Sequence, residues 1–218
     1  MTSKYFSYNH NFENIVKNDP VKIPGQEYWY LNPQKKADWC WNTNIFTDEE
    51  LEQIIVIGKR LSPKRAKTGG RGEDCLDHRR SFVSWIGVNS ETNWIFQRIT
   101  DVVKQNNRQF FNLDLEKIEK LQFTHYLSSE KGTYHAHTDP TRWELPHNRK
   151  LSMSLQLSDP NDYEGGELLL HTSHKPTVIS REKGMMVFFP SYTLHEVTPV
   201  TRGERYSLVA WIHGPNLR

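Results

Sequence analysis

The sequence predicts an α+β fold that is mainly β, a closed or sandwiched core of the jelly-roll kind with supporting N-terminal helices. Three observations predict it. From Leu121 onward, short apolar runs of strand length recur: Leu121–Leu127, Leu151–Leu157, Glu167–His171, Met185–Phe189, Leu194–Thr198 and Arg205–His213. Glycine turns separate several of them, at Gly165-Gly166, Lys183-Gly184 and Arg202-Gly203. Ahead of these runs lie two segments whose apolar residues recur at three and four.

Taken in order, residues 1–36 mix aromatics such as Tyr28, Trp29 and Tyr30 with polar residues and have neither helical nor strand period. They are read as an arm packed on the body, and 37–218 as one domain. Thr47-Asp48-Glu49-Glu50 is a capping box before Leu51, Ile54, Ile55 and Gly58, which predicts a helix over about 47–61. Ile95, Ile99, Val102 and Val103 predict a second over about 91–107. Between them, Ser62 to His78 carries Pro63, Gly69, Gly70 and Gly72 among mixed charges, which is loop chemistry. The β core is expected over about 119–213.

Composition removes several functions before any motif is considered. With 36% hydrophobic and 25% charged residues in 218, the chain can bury a sizeable core and is not disordered as a whole. No apolar stretch is long enough to span a membrane, and the first residues lack the layout of an export signal. A net charge of +2 gives no one-signed field to draw nucleic acid, so no such partner is expected. Two cysteines, Cys40 and Cys75, are too few for a disulfide framework and read as reduced thiols of a cytoplasmic protein. Histidine stands out: eight of ten lie at or after His125.

Within that histidine-rich half, Tyr134-His135-Ala136-His137-Thr138-Asp139 sets His137 and Asp139 two residues apart, on one face of an extended chain. A third imidazole from another strand would complete a two-histidine, one-carboxylate set suited to iron(II) and oxygen chemistry; His195, just after an apolar run and a turn, is the candidate. Ten residues on stands Arg205, with Ser207 and Trp211 on the same strand face. A guanidinium fork binds carboxylate bidentately, so a dicarboxylate chelating the metal at one end would pair with Arg205 at the other. Tyr126 shares a face with Gln122 and Thr124, and its inward phenol needs a polar partner that a bound carboxylate supplies.

Together these residues resemble the 2-oxoglutarate and iron(II)-dependent dioxygenases, specifically the prolyl 4-hydroxylase-like branch. The resemblance runs from about Asp38 to Pro215, and its most specific part is Tyr126, Gly132, Tyr134, His137 and Asp139. Gly165-Gly166-Glu167-Leu168 is similar to that branch's Gly-Gly-x-Leu turn, and Arg80-Ser81 to a segment near its peptide site. Gln156 stands where some relatives carry a tyrosine against the distal carboxylate. The resemblance implies a double-stranded β-helix, iron held by His137, Asp139 and His195, and 2-oxoglutarate anchored by Arg205 with Tyr126, Ser207 and Trp211 around it. It also implies O2 as second co-substrate, ascorbate as a candidate addition, and C–H hydroxylation coupled to decarboxylation of 2-oxoglutarate to succinate.

A peptidyl-prolyl substrate is the leading expectation, with Arg80, Trp85 and Tyr134 as its contacts and the locally basic 62–80 loop as a candidate lid over it. The alternatives are a free amino acid or small metabolite, or a non-catalytic binding module on the same scaffold. A cupin-like set of His135, His137 and Glu144 leaves Asp139 and Arg205 unexplained, so His135 is read as a rim residue. A nucleobase demethylase is disfavoured because Trp211 stands where that group carries a second arginine. His171 and His174 are expected as exposed turn histidines, and Arg202 as solvated.

Overall fold

The computed structural model describes residues 21–23, 26–28, 37–67, 76–139 and 147–215. Helix α1, Asp48–Arg60, starts as its capping box dictates: Thr47 Oγ1 accepts from Glu50 N at 3.2 Å and Glu50 Oε2 from Thr47 N at 2.9 Å. Its Leu51, Ile54, Ile55, Ile57 and Gly58 are buried. Gly58 is needed for close approach, because a Cβ there would sit 2.3 Å from the Phe123 ring. Helix α2, Asn93–Asn106, buries Ile95, Ile99, Val102 and Val103 and runs into a π-helical turn, Asn107–Phe111. It starts two residues after Glu91, because Asn89 Oδ1 binds the Glu91 and Thr92 amides and turns the chain there.

Two antiparallel sheets form the body. Across the larger the order is Cys40–Asn42, Met186–Pro190, His147–Gln156, Val200–Pro215, Leu121–Leu127, Phe82–Ile86 and Lys64–Arg65. Tyr163–Gly165 and Lys117–Ile118 also pair with Val200–Pro215. Across the smaller the order is Thr177–Val178, Leu168–Leu170, His195–Val197, Thr133–His137 and Arg79–Arg80. The mainly β jelly-roll expectation matches this double-stranded β-helix.

Strand parity divides the larger sheet into an oily face and a working face. Leu121 and Phe123 join Tyr206, Leu208, Ala210 and Ile212 in the core that the helices cover. Gln122 and Tyr126, with Arg205, Ser207, Val209 and Trp211, point the other way and line a cavity between the sheets. A second apolar cluster, including Tyr163, Leu170, Val187, Phe189 and Val200, closes the space beside it.

The structure departs from the sequence expectations in several places. Arg202-Gly203 is not a chain reversal but part of the continuous strand Val200–Pro215, where Gly203 at φ 69° faces Tyr163 beside an irregular register. Short strands at 40–42, 64–65 and 79–86 extend the sheets ahead of the expected β core; pieces this short show little period. Val21–Ile23 and Gln26–Tyr28 pair as a hairpin within the arm, whose remaining residues lie outside those described. Residues 68–75 of the candidate lid, Cys75 and Glu144 also lie outside them. Cys40 is free and fully buried, and desolvation pushes its thiol well above the usual range. Among the described residues no helix is long and apolar enough to cross a membrane.

Candidate metal centre

Two paired strands and the residues just beyond one of them deliver three donors to one point. His137 ends Thr133–His137, Asp139 lies two residues beyond it, and His195 opens His195–Val197, facing His137 across the ladder. The ligand atoms of this trio lie within 4.8 Å of one another. His137 Nε2 is 3.7 Å from Asp139 Oδ1, and His195 Nε2 is 3.5 Å from Asp139 Oδ2.

Both rings are fixed from behind. His137 Nδ1 donates to the His135 carbonyl at 2.7 Å and His195 Nδ1 to the Thr193 carbonyl at 2.9 Å, so each turns its Nε2 inward. Burial first, and the neighbouring His195 second, hold the His137 imidazole well below the usual histidine range. It is therefore neutral, as a metal ligand must be. The Asp139 carboxylate is oriented by a hydroxyl pair that motif reading missed: Ser152 Oγ donates to Oδ2 at 2.7 Å and contacts Ser191 Oγ at 2.9 Å. Period-2 parity puts Ser152 on the strand face away from the core residues Leu151 and Met153, the one signal that it leaves the core.

The donor set fits Fe(II): two imidazoles and one carboxylate on a stiff scaffold, all three lining one cavity. Arg205 lines that cavity at 3% exposure. Its Nε is buried without an acceptor, Nη1 reaches Ser207 Oγ at 3.5 Å, Cζ lies 5.3 Å over the Tyr126 ring, and the Tyr163 hydroxyl is a further polar neighbour. Among the described residues no carboxylate pairs with it. A buried guanidinium with no carboxylate partner is costly, and an anionic ligand relieves that cost.

Gly166, at φ 63°, makes room for this arginine, since a Cβ there would lie 2.9 Å from Arg205 Cδ. Gln156 does not take the place of the relatives' tyrosine directly: its amide donates to the Tyr163 hydroxyl at 3.0 Å. Tyr163, fully buried and missed by sequence reasoning, has its phenol raised by burial, and the Arg205 charge is the first opposing influence.

Tyr126, Ser207 and Trp211 all line the cavity. Tyr134 lines it too, its ring stacked 3.5 Å from that of His137. A register shift between the His137 and Tyr134 pairings breaks simple alternation and brings those two rings to one side. Trp85 is 44% exposed, with its ring 6.1 Å from that of Trp211. Arg80 is not a lining residue: its Nε donates to the Lys131 carbonyl at 3.2 Å, and Arg79 next to it faces inward instead, opposite Tyr134. His135 is exposed, and its contribution to the centre is the carbonyl that orients His137. His171 does have an acidic partner, Glu196 at 3.0 Å, supplied across strands where sequence spacing could not show it. Arg202 is exposed and pairs with Glu164.

A family profile described as the 2OG-Fe(II) oxygenase superfamily matches residues 121–213, the stretch that carries the whole trio and Arg205. A PKHD-type hydroxylase of Teredinibacter turnerae is 39% identical over 101 residues, 44% of each chain. PKHD-type hydroxylase YbiX of Escherichia coli is 39% identical over 169 residues, 75% of this chain and 70% of its own. The chain belongs to the PKHD-type hydroxylases. Its match spans less than half of the Teredinibacter relative's length.

Solved structures place this PKHD-type chain in the prolyl hydroxylase fold. A Pseudomonas putida prolyl-4-hydroxylase superposes with a TM-score of 0.66 at 21% identity, covering 82% of this chain and 94% of that one. A Trichoplax adhaerens prolyl hydroxylase in complex with a hypoxia inducible factor peptide fragment gives 0.68 at 19%, covering 81% and 84%.

Proposed function

We propose that this chain is an Fe(II)- and 2-oxoglutarate-dependent hydroxylase whose substrate is a prolyl residue of a peptide or protein. The observation that carries the reading is one cavity holding both halves of the requirement: a preformed two-histidine, one-carboxylate trio and a buried guanidinium with no carboxylate partner among the described residues. The peptide held by the Trichoplax neighbour supports the choice of substrate class.

His137, Asp139 and His195 would hold Fe(II), which when bound supplies oxygen activation, 2-oxoglutarate giving up two electrons and leaving as succinate and CO2. The chain's own groups do the positioning. Arg205 takes the distal carboxylate of 2-oxoglutarate, and Ser207 holds the guanidinium in place. Ser152 and Ser191 keep the Asp139 carboxylate from rotating. Tyr126, Tyr134, Phe189 and Trp211 wall the cavity and keep bulk water from it. Trp85 offers an exposed ring beside Trp211 on which a proline ring stacks.

Succinate formation from 2-oxoglutarate and Fe(II), measured with and without proline-containing peptides, tests the proposal. Peptide should stimulate turnover, His137→Ala and Asp139→Ala should lose stable metal retention, and Arg205→Ala should chiefly raise the 2-oxoglutarate requirement. Retained iron with no succinate under any condition would leave only a binding module.

A further inference from the structure

Arg79 is a second cation in the same cavity, and none of the steps above uses it. It is 6% exposed, on a two-residue strand paired with Thr133–His137. Its Nε donates to Ser81 Oγ at 2.8 Å, and its Cζ lies 4.3 Å over the Tyr134 ring. Among the described residues its two terminal nitrogens have no protein acceptor, and the side chain lines the cavity.

Charge balance then separates its role from that of Arg205. Among the described residues Asp139 is the carboxylate that lines the cavity, already committed to the metal trio and to Ser152. With Fe(II) and the 2-oxoglutarate dianion in place, the described lining residues, Asp139 and the two guanidiniums, leave one positive charge uncompensated in a largely desolvated space. A buried charge of this kind is relieved by an anion making charge-assisted hydrogen bonds.

Geometry says where that anion belongs. Tyr134 packs against Arg79 and, at 3.5 Å between ring centroids, against the ligand His137. A group on Arg79 is thus about one aromatic ring from the metal ligands, so it must come from the hydroxylated residue itself or an immediate neighbour.

We propose that Arg79 is a substrate carboxylate receptor, and that the substrate carries an anionic carboxylate on, or adjacent to, the residue being hydroxylated. This rests on the hydroxylase reading of the same cavity and narrows its substrate class. Two sources share the chemistry: the α-carboxylate of a terminal or free residue, and the side chain of an adjacent Asp or Glu.

The test is calorimetric binding to protein loaded with Zn(II) and 2-oxoglutarate, where no turnover occurs. One peptide pair ends in proline as free acid or amide. Two blocked pairs carry Glu or Gln directly before or after an internal proline. The acid of at least one pair should bind about tenfold tighter than its amide, and which pair responds identifies the source. Arg79→Gln should erase the difference, and Arg79→Lys, keeping the charge but losing the fork, should retain part of it.

Equal affinities in every wild-type pair, no binding by any peptide, or discrimination that survives Arg79→Gln would overturn the proposal. If Arg79→Gln fails to fold, the wild-type pairs and Arg79→Lys decide. Acid-selective binding without succinate from the Fe(II) protein would sink the hydroxylase reading and leave the receptor standing.

Discussion

Removing one hydroxyl, by Ser152→Ala, should loosen the metal without touching any ligand. Ser152 is fully buried, and its Oγ donates to Asp139 Oδ2 at 2.7 Å, a short distance typical of a hydroxyl bonded to a charged carboxylate. Such a bond contributes roughly 1.5–3 kcal/mol. Its loss frees the carboxylate to turn away from the two imidazoles, and the same energy expressed as affinity is about 10- to 100-fold, the range seen when outer partners of metal ligands are removed. Ser191 gives limited rescue, because its Oγ is held against Ser152 at 2.9 Å and has no Asp139 contact of its own through that atom. Anaerobic titration with Co(II), followed by its absorption bands, measures the affinity, and circular dichroism checks that the fold is retained. A folded Ser152→Ala protein with Co(II) affinity within twofold of wild type would refute the argument that this hydroxyl positions the carboxylate.

Gly166→Ala should raise the 2-oxoglutarate requirement at least tenfold while leaving Co(II) affinity intact, because the new Cβ displaces the Arg205 stem and must adopt φ 63°; unchanged co-substrate affinity by calorimetry would count against it. Thr47→Ala should lower stability by about 1 kcal/mol in urea melts through loss of the α1 capping box, with no effect on metal binding. The metal-free protein should lose stability as pH falls. The folded His137 resists protonation, so on acidification the unfolded chain binds the proton first, and stability present above the ordinary histidine range is lost as pH drops through it. The urea midpoint should therefore fall more steeply from pH 7 to 5 in wild type than in His137→Gln, and parallel slopes would show that His137 is not the group responsible.

Read as sequence, the chain determined its helices and its β-rich half, and it singled out His137, Asp139, His195 and Arg205 as candidates. Capping at Thr47 is local, apolar recurrence at three and four residues is local, and His137 with Asp139 forms a tripeptide. Alternation likewise sorted Arg205, Ser207 and Trp211 onto one strand face, and Gln122 and Tyr126 onto another. Those signals survive in one dimension because they depend on backbone period alone. What only the tertiary structure decided is everything that requires two strands to meet. Ser152 and Ser191 carry no motif, and become carboxylate holders because the ladder places them beside Asp139. Tyr163 reaches the neighbourhood of Arg205 from a three-residue strand, and His171 finds Glu196 across a sheet. Which of Arg79 and Arg80 lines the cavity turned on which face of a two-residue edge strand points inward, and a strand that short has no period to read. Sequence spacing fixes which face of an element a residue shares; the register between distant elements, set by packing around the whole core, fixes what it touches.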